Sequence, residues 1–281
     1  MPELPEVETI ARGLHKRVAG DTIESVWLGQ KPEPLKSSPL EIADVLEHAK
    51  IVGVRRAGKH IVFDLERPSN RKDRPLRHGQ WIVHLGMTGR MQVTSSETDI
   101  AKHTHAIVRL VSGLEVRFVD PRRFGRLAVV RNDSPAATGF AAPGDEPLES
   151  QAQHFVDLFR GRKTPIKSAL LNQNLLSGVG NIYADESLFR SGIRPRRRAA
   201  SLTREQLRKL HAAVQEVLRE AIALGGSSVS DYVDADGEEG FFQLQHRVYG
   251  REGEPCLVCG TPIKRVVIAG RSSHYCRRCQ R

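Results

Sequence analysis

Residues 256–279 read CLVCGTPIKRVVIAGRSSHYCRRC, and this stretch decides how the chain is built. All four cysteines of the protein lie in it, as Cys256-x2-Cys259 and Cys276-x2-Cys279 with 16 residues between the pairs. Two such knuckles can bring four thiolates to one tetrahedral ion, and in a reducing compartment a metal is expected there rather than disulfides. No ligand is left over for water or substrate. The reading is therefore one closed, structural zinc ion in a C-terminal ribbon.

Upstream of the ribbon the pattern is helical. Apolar spacing predicts helices over 151–159, 165–171, 182–191 and 203–224, the last long and amphipathic and stopped by Gly225-Gly226. The segment 227–240, SSVSDYVDADGEEG, reads as a loop. Between the second and third helices lies LLSGVGNIYADE, residues 175–186, whose glycines allow close backbone approach. Asn181 is placed there to cap the following helix, and amides at a helix N-terminus suit phosphate. Further upstream the character changes. Short β-type runs at 23–28, 51–56, 60–65, 81–85, 106–110, 116–119 and 126–130, with a helix over 39–49, predict a sandwich or flattened barrel. A first helix over 3–18 carries Val7, Ile10, Ala11, Leu14 and Val18 on one face and ends at Gly20.

The expected fold class is thus α+β and multidomain. Residues 1–131 form a two-layer β-sandwich flanked by helices, 132–146 a linker rich in Ala, Pro, Gly and Asp, 147–246 a helical domain and 247–281 the ribbon. The basic stretch 67–79 reads as an exposed loop.

The formal charge is +10 and the pI near 9.8, which points to a polyanionic partner, nucleic acid ahead of an acidic membrane. The charge is uneven. Residues 160–200 hold nine Lys or Arg against two acids, and 247–281 hold eight against two, whereas 1–30 hold five acids against three bases. No apolar run approaches the roughly 20 residues of a membrane span, and the N-terminus lacks the basic and apolar regions of a signal peptide. A cytoplasmic location without membrane contact is expected.

The chain opens Met1-Pro2-Glu3-Leu4-Pro5-Glu6-Val7-Glu8. Removal of Met1 would expose the secondary amine of Pro2, and an α-amino group titrating near ~7.7–8.0 is partly uncharged at neutral pH. Such an amine can attack an electrophilic carbon and form a Schiff base, with a neighbouring carboxyl moving protons. A purely structural reading stands beside it: Pro2 as a good first helical residue, with acids complementing the helix dipole.

Further motifs decide between these readings. GKH around Lys59, HLGMTG at 84–89, DPRRFG at 120–125, SGVGNIYADESLF at 177–189 and VYGREGEPC at 248–256 join the opening PELPEVET and the ribbon's SSHYCRRCQR. In this order, over essentially the whole chain, they resemble the formamidopyrimidine-DNA glycosylases, which excise oxidised purines such as 8-oxoguanine from DNA. The resemblance implies a helix-two-turns-helix domain in the helical region and double-stranded damaged DNA as the partner of a monomer. It implies Pro2 as the nucleophile at C1′, Glu3 as its acid-base partner and Glu6 as support. Lys59 matches the lysine assigned to β-elimination, and Arg271 the ribbon arginine assigned to δ-elimination. Met87, Arg122 and Phe124 match the trio that fills the gap left by the extruded lesion. His84, His103, Arg122, Lys167, Asn181 and Arg271 match phosphate contacts, with Arg162 and Lys163 at a nearby basic position. The loop 227–240 corresponds to the segment that caps the flipped purine.

Two other functions fit parts of the sequence: the sister branch acting on oxidised pyrimidines, and a non-catalytic zinc-ribbon protein that binds distorted DNA. Leu4 and the long loop resemble the purine branch, and a binding protein would not need Pro2, Glu3 and Lys59 together. The chain also departs from the family's pattern, in a longer basic loop at 67–79 and in Ser168 where proline is common.

Overall fold

The computed structural model describes residues 1–67, 77–132, 139–228 and 232–281. The centre of the basic loop, most of the first half of the linker and residues 229–231 of the capping segment lie outside the described residues. The chain divides into two compact units, Met1–Ala141 with Ser227–Gly240, and Ala142–Gly226 with Phe241–Arg281. The segment after the long helix therefore folds with the sandwich, and the ribbon with the helices.

In the first unit, helix α1 (Leu4–Val18) buries Val7, Ile10, Ala11, Leu14 and Val18, the stripe that its apolar spacing dictates. Two four-stranded antiparallel sheets follow. One orders β1 (Ile23–Leu28), β6 (Thr104–Leu110), β7 (Leu114–Val119) and β5 (Arg90–Ser95); the other orders β2 (Lys50–Ala57), β3 (His60–Arg67), β4 (Arg77–His84) and β8 (Arg126–Asn132). Their inward residues share one core with α1, including Phe63, Trp81, Val83, Met91, Val108 and Phe118. Helix α2 (Pro39–Leu46) begins with a capping box in which the Glu41 N–H donates to Ser38 Oγ.

Three features depart most from the sequence reading. Strand β5 carries only Met91 and Val93 as buried apolar residues, too short an alternation to stand out, and it forms through its register with β7. Of the predicted loop 67–79, Arg67 and residues 77–79 belong to strands, because β3 and β4 pair as far as Arg67 opposite Arg77. Helix α2 stops at Leu46, where His48 takes a positive φ of 63°.

The second unit packs α3 (Ala152–Phe159), α4 (Ile166–Leu170), α5 (Asn181–Ser191) and α6 (Arg204–Ala223) around Phe155, Phe159, Leu170, Tyr183, Leu210 and Val217. Helix α6 is opened by Thr203, which accepts from the Gln206 N–H, and closed by Gly225 and Gly226 at positive φ. The ribbon is the hairpin β9 (Lys264–Ile268) and β10 (Arg271–Tyr275) over a small core of Val248, Ile263 and two cysteines.

Candidate active site and nucleic-acid interface

Pro2 lies ahead of α1, not in it: the helix begins at Leu4 and its N-cap is Glu3. Pro2 is therefore not a first helical residue; Pro5 is the proline in the first turn. Pro2 is half-buried and Glu3 buried at 5% exposure. Glu6 holds this end in place. Its Oε2 accepts the Glu3 N–H at 2.8 Å, and its Oε1 accepts the Ser227 N–H at 2.8 Å. One buried carboxylate thus ties the start of α1 to the start of the 227–240 segment. Ionised acceptors make the stronger class of hydrogen bond.

The rest of that segment is anchored to the same helix and sheet. The Tyr232 hydroxyl donates to the Glu6 carbonyl at 3.5 Å, and the Val93 N–H to the Ala235 carbonyl at 3.3 Å. Burial, then the Glu6 carboxylate, push the Tyr232 phenol far above its ordinary value, so it is a neutral donor.

Lys59 occupies the tip of the β2–β3 hairpin, in a two-residue loop between the paired Ala57 and His60. Gly58, at φ 59°, supplies the left-handed residue such a loop requires. Lys59 is buried at 8% exposure. Beneath the loop the Arg56 guanidinium donates to the Gly58 carbonyl at 3.3 Å and to Glu8 of α1 at 2.8 Å, which joins the hairpin to the N-terminal helix.

His84 ends β4, and its Nδ1 accepts the Gly86 N–H at 3.1 Å. Burial, then His60, Arg126 and Lys59, push its pKa down to about 4. A neutral ring with Nδ1 as acceptor carries its proton on Nε2, where it can donate to a phosphate. Met87, Arg122, Phe124 and His103 are all exposed, as an interface with DNA requires. The Arg122 guanidinium stacks 4.8 Å from the Phe124 ring centroid.

In the second unit the expected phosphate contacts separate into two kinds. Arg162, Lys163 and Arg271 are exposed. Lys167 is not: it is fully buried, its Nζ 2.6 Å from Asp185 Oδ1 and donating to the Ser272 carbonyl at 2.7 Å. It braces β10 and leaves no face for a phosphate. Asp185 Oδ2 accepts the His274 N–H at 2.8 Å, so the strand that begins with Arg271 is held at two points by one buried ion pair. Asn181 also differs from expectation. Gly180 is the N-cap of α5, and the Asn181 amide donates to Ser272 Oγ at 3.4 Å. The glycine turn before it is knitted by Gln173, which donates to the Leu171 and Val179 carbonyls and accepts the Gly178 N–H. Part of the basic excess has an internal use as well: Arg194, Arg196 and Arg197 donate to backbone carbonyls of the ribbon.

Glu186 is a further residue that the sequence did not single out. It accepts the N–H groups of Arg247, Val248 and Tyr249 at 2.8–2.9 Å and fixes the entry to the ribbon. Burial raises its pKa while the three amides oppose that shift. Its sequence signal is weak, a second acid directly after Asp185 within a short helix.

Cys256, Cys259, Cys276 and Cys279 converge. Their Sγ atoms lie within 4.8 Å of one another, with Cys256 to Cys279 at 3.9 Å and Cys259 to Cys276 at 3.5 Å. Zn–S bonds of ~2.3 Å in a tetrahedron place sulfurs about 3.8 Å apart, so the donor set fits zinc. With four thiolates the ion has no open position, and its contribution is structural.

Comparison with known proteins agrees with this geometry. Residues 1–127 match the formamidopyrimidine-DNA glycosylase N-terminal domain, residues 143–233 its H2TH domain, and residues 253–281 the zinc finger found in FPG and IleRS. The formamidopyrimidine-DNA glycosylases of Desulfitobacterium hafniense and Gluconobacter oxydans are each 42% identical, with both chains covered in full. Among solved structures, the Lactococcus lactis Fpg in complex with an abasic site containing DNA aligns with a TM-score of 0.86 at 31% identity, covering 99% of each chain. The MutM (Fpg) protein of Thermus thermophilus aligns at 0.82 and 40% identity, covering 99% of this chain and 98% of that one. This chain belongs to the formamidopyrimidine-DNA glycosylase family.

Proposed function

We propose that the protein is a base-excision repair enzyme, a bifunctional glycosylase and abasic-site lyase that removes oxidised purines from double-stranded DNA. The observation that carries this reading is the construction at the N-terminus. Pro2 stands outside the helix, beside a buried Glu3 whose backbone is fixed by Glu6. Once Met1 is removed, the Pro2 nitrogen attacks C1′ of the damaged nucleotide; the N–C1′ bond forms, and the bond to the base breaks with its electron pair leaving on the base. The proton shed by the Pro2 nitrogen balances the one the departing base takes up. Glu3 donates a proton to the ring oxygen as the C1′–O4′ bond opens, which leaves the Schiff base. Loss of the C2′ proton then expels the 3′ phosphate, with Lys59 at this step. The second elimination expels the 5′ phosphate and uses Arg271. With Met1 in place the same nitrogen is an amide and cannot react.

A glycosylase cannot reach C1′ in a stacked duplex, and extruding a nucleotide costs on the order of a few kcal/mol. Exposed Met87, Arg122 and Phe124 offset this by filling the gap. The relatives' complexes with Fapy-dG DNA and with abasic DNA support both the purine lesion and the lyase step. No helix among the described residues is long and apolar enough to cross a membrane. We assign a monomer acting on the nucleoid in the cytoplasm.

The test is borohydride trapping on duplexes carrying 8-oxoguanine, an oxidised pyrimidine or an abasic site, using protein whose N-terminal mass shows Met1 removed. Covalent complexes are expected with 8-oxoguanine and abasic DNA. Faster reaction with the oxidised pyrimidine would assign the chain to the sister activity. No trapping with any duplex would leave a DNA-binding protein without this chemistry.

A further inference from the structure

The two turns that present Met87, Arg122 and Phe124 are built as one piece. Asp120 is fully buried at the base of the second turn. Its Oδ2 accepts the Gly125 N–H at 2.7 Å, and its Oδ1 accepts the Arg122 N–H at 3.2 Å and the Thr88 hydroxyl at 2.6 Å. Thr88 is the next residue after Met87, and its Oγ also accepts the Arg122 N–H at 3.3 Å. The backs of the turns touch. A Cβ on Gly86 would lie 2.5 Å from the Phe124 carbonyl carbon, and one on Gly125 would lie 2.4 Å from Phe118 Cζ and 3.1 Å from the His84 carbonyl oxygen. Arg123 sits at φ 58°, a left-handed conformation that surrounding contacts must impose on a residue other than glycine.

We propose that Thr88 is a positioning residue: with Asp120 it latches the Met87 turn to the Arg122 and Phe124 turn, so that the three exposed side chains enter the duplex as one body. The inference rests on the reading that these three fill the gap left by the lesion. Separate flexible turns would each lose conformational freedom on insertion, and a preformed pair has already lost it. Asp120 alone can hold its own turn through Arg122 and Gly125. Besides the packing of Gly86 against Phe124 and Gly125, the side-chain hydrogen-bond link across to the Met87 turn passes through the Thr88 hydroxyl.

The experiment is single-turnover excision of 8-oxoguanine with a fluorescent adenine analogue beside the lesion to report unstacking. Met87→Ala, Phe124→Ala and their double variant are compared in the native and the Thr88→Val backgrounds. Thr88→Val removes only the hydroxyl; Thr88→Ala serves if the second methyl disturbs the turn, and melting temperature reports folding. That hydroxyl both donates to Asp120 and accepts from Arg122. The latch predicts that Thr88→Val slows unstacking and excision by at least about 3- to 10-fold, the range of a single neutral hydrogen bond. Thr88→Ser should restore the rate to within about twofold. In the native background the Met87 and Phe124 effects should be non-multiplicative, and in Thr88→Val they should multiply. Unchanged rate and unchanged coupling in Thr88→Val, with both single variants slow, would overturn the latch and keep the gap-filling reading. Fast excision by Met87→Ala and Phe124→Ala would overturn that reading and the latch with it.

Discussion

Both ends of the chain carry functional residues, and they are placed by different physics. At the N-terminus, Glu6 holds Glu3 and Ser227 through neutral backbone donors. At the ribbon, the strand that begins with Arg271 is held by an ion pair, Lys167 with Asp185, both fully buried. A carboxylate that collects amides loses hydrogen bonds when it is changed. A buried pair that loses one member leaves a stranded charge, which is the costlier defect. The comparison teaches that the placing residues are buried and mostly acidic, whereas the residues proposed to face DNA are, His84 apart, exposed and mostly basic.

The largest effect should come from breaking the pair. Lys167→Met is expected to destabilise the second unit by about 3–5 kcal/mol, since Asp185 loses its buried partner; adding Asp185→Leu should recover part of that loss, the rest going to the His274 N–H that loses its acceptor. Urea unfolding followed by a probe in the ribbon measures both. Equal losses in the single and double variants would mean that the pair does not carry the strand.

Next is Glu6→Gln, which turns one of the two acceptors into a donor facing an N–H. A loss of about 1.5–3 kcal/mol is expected, with slower trapping on damaged duplex than on a substrate already abasic. If Glu6→Gln trapped both substrates at the native rate, Glu6 would be a fold residue and nothing more.

A smaller effect follows from His84, whose pKa burial lowers to about 4. The unfolded chain binds this proton below about pH 6.5 and the folded protein not until about pH 4, so unfolding takes up a proton in that window and stability falls as pH drops through it. From pH 7 to pH 5 the expected loss from this group is about 1–2 kcal/mol. His84→Gln should flatten that part of the urea-midpoint profile.

The smallest effect separates exposed from buried lysines in binding. Lys163→Ala should lower the salt slope of duplex binding by about 1, the signature of one phosphate contact. Lys167→Met should leave the slope unchanged wherever the protein is folded. A drop in slope for Lys167→Met would return that lysine to the DNA interface.

Much of this was legible in the sequence. The strands other than β5, the helices and the zinc ribbon followed from periodicity, glycines and cysteine spacing, and the exposed motif residues from their resemblance to a family. What was not legible shares one cause. Asp120, Thr88, Glu186 and the true placement of Lys167 depend on which side chain is buried against which amide, and sequence spacing carries no such information for partners far apart in the chain. Lys167 was expected at a phosphate because it matches a phosphate contact of the family it resembles; its partners here, Asp185 and Ser272, are recruited by the fold. Arg194, Arg196 and Arg197, counted only as part of the basic excess, have internal partners that spacing does not reveal, since a guanidinium satisfies a carbonyl as readily as a phosphate.

The most direct test of the account is where the covalent bond forms. Protein with Met1 removed is trapped with borohydride on an 8-oxoguanine duplex, digested, and the DNA-bearing peptide sequenced by mass spectrometry. The account predicts the adduct on the nitrogen of Pro2 at the new N-terminus. An adduct on Lys59 or any other lysine, with the Pro2 peptide recovered unmodified, would contradict it.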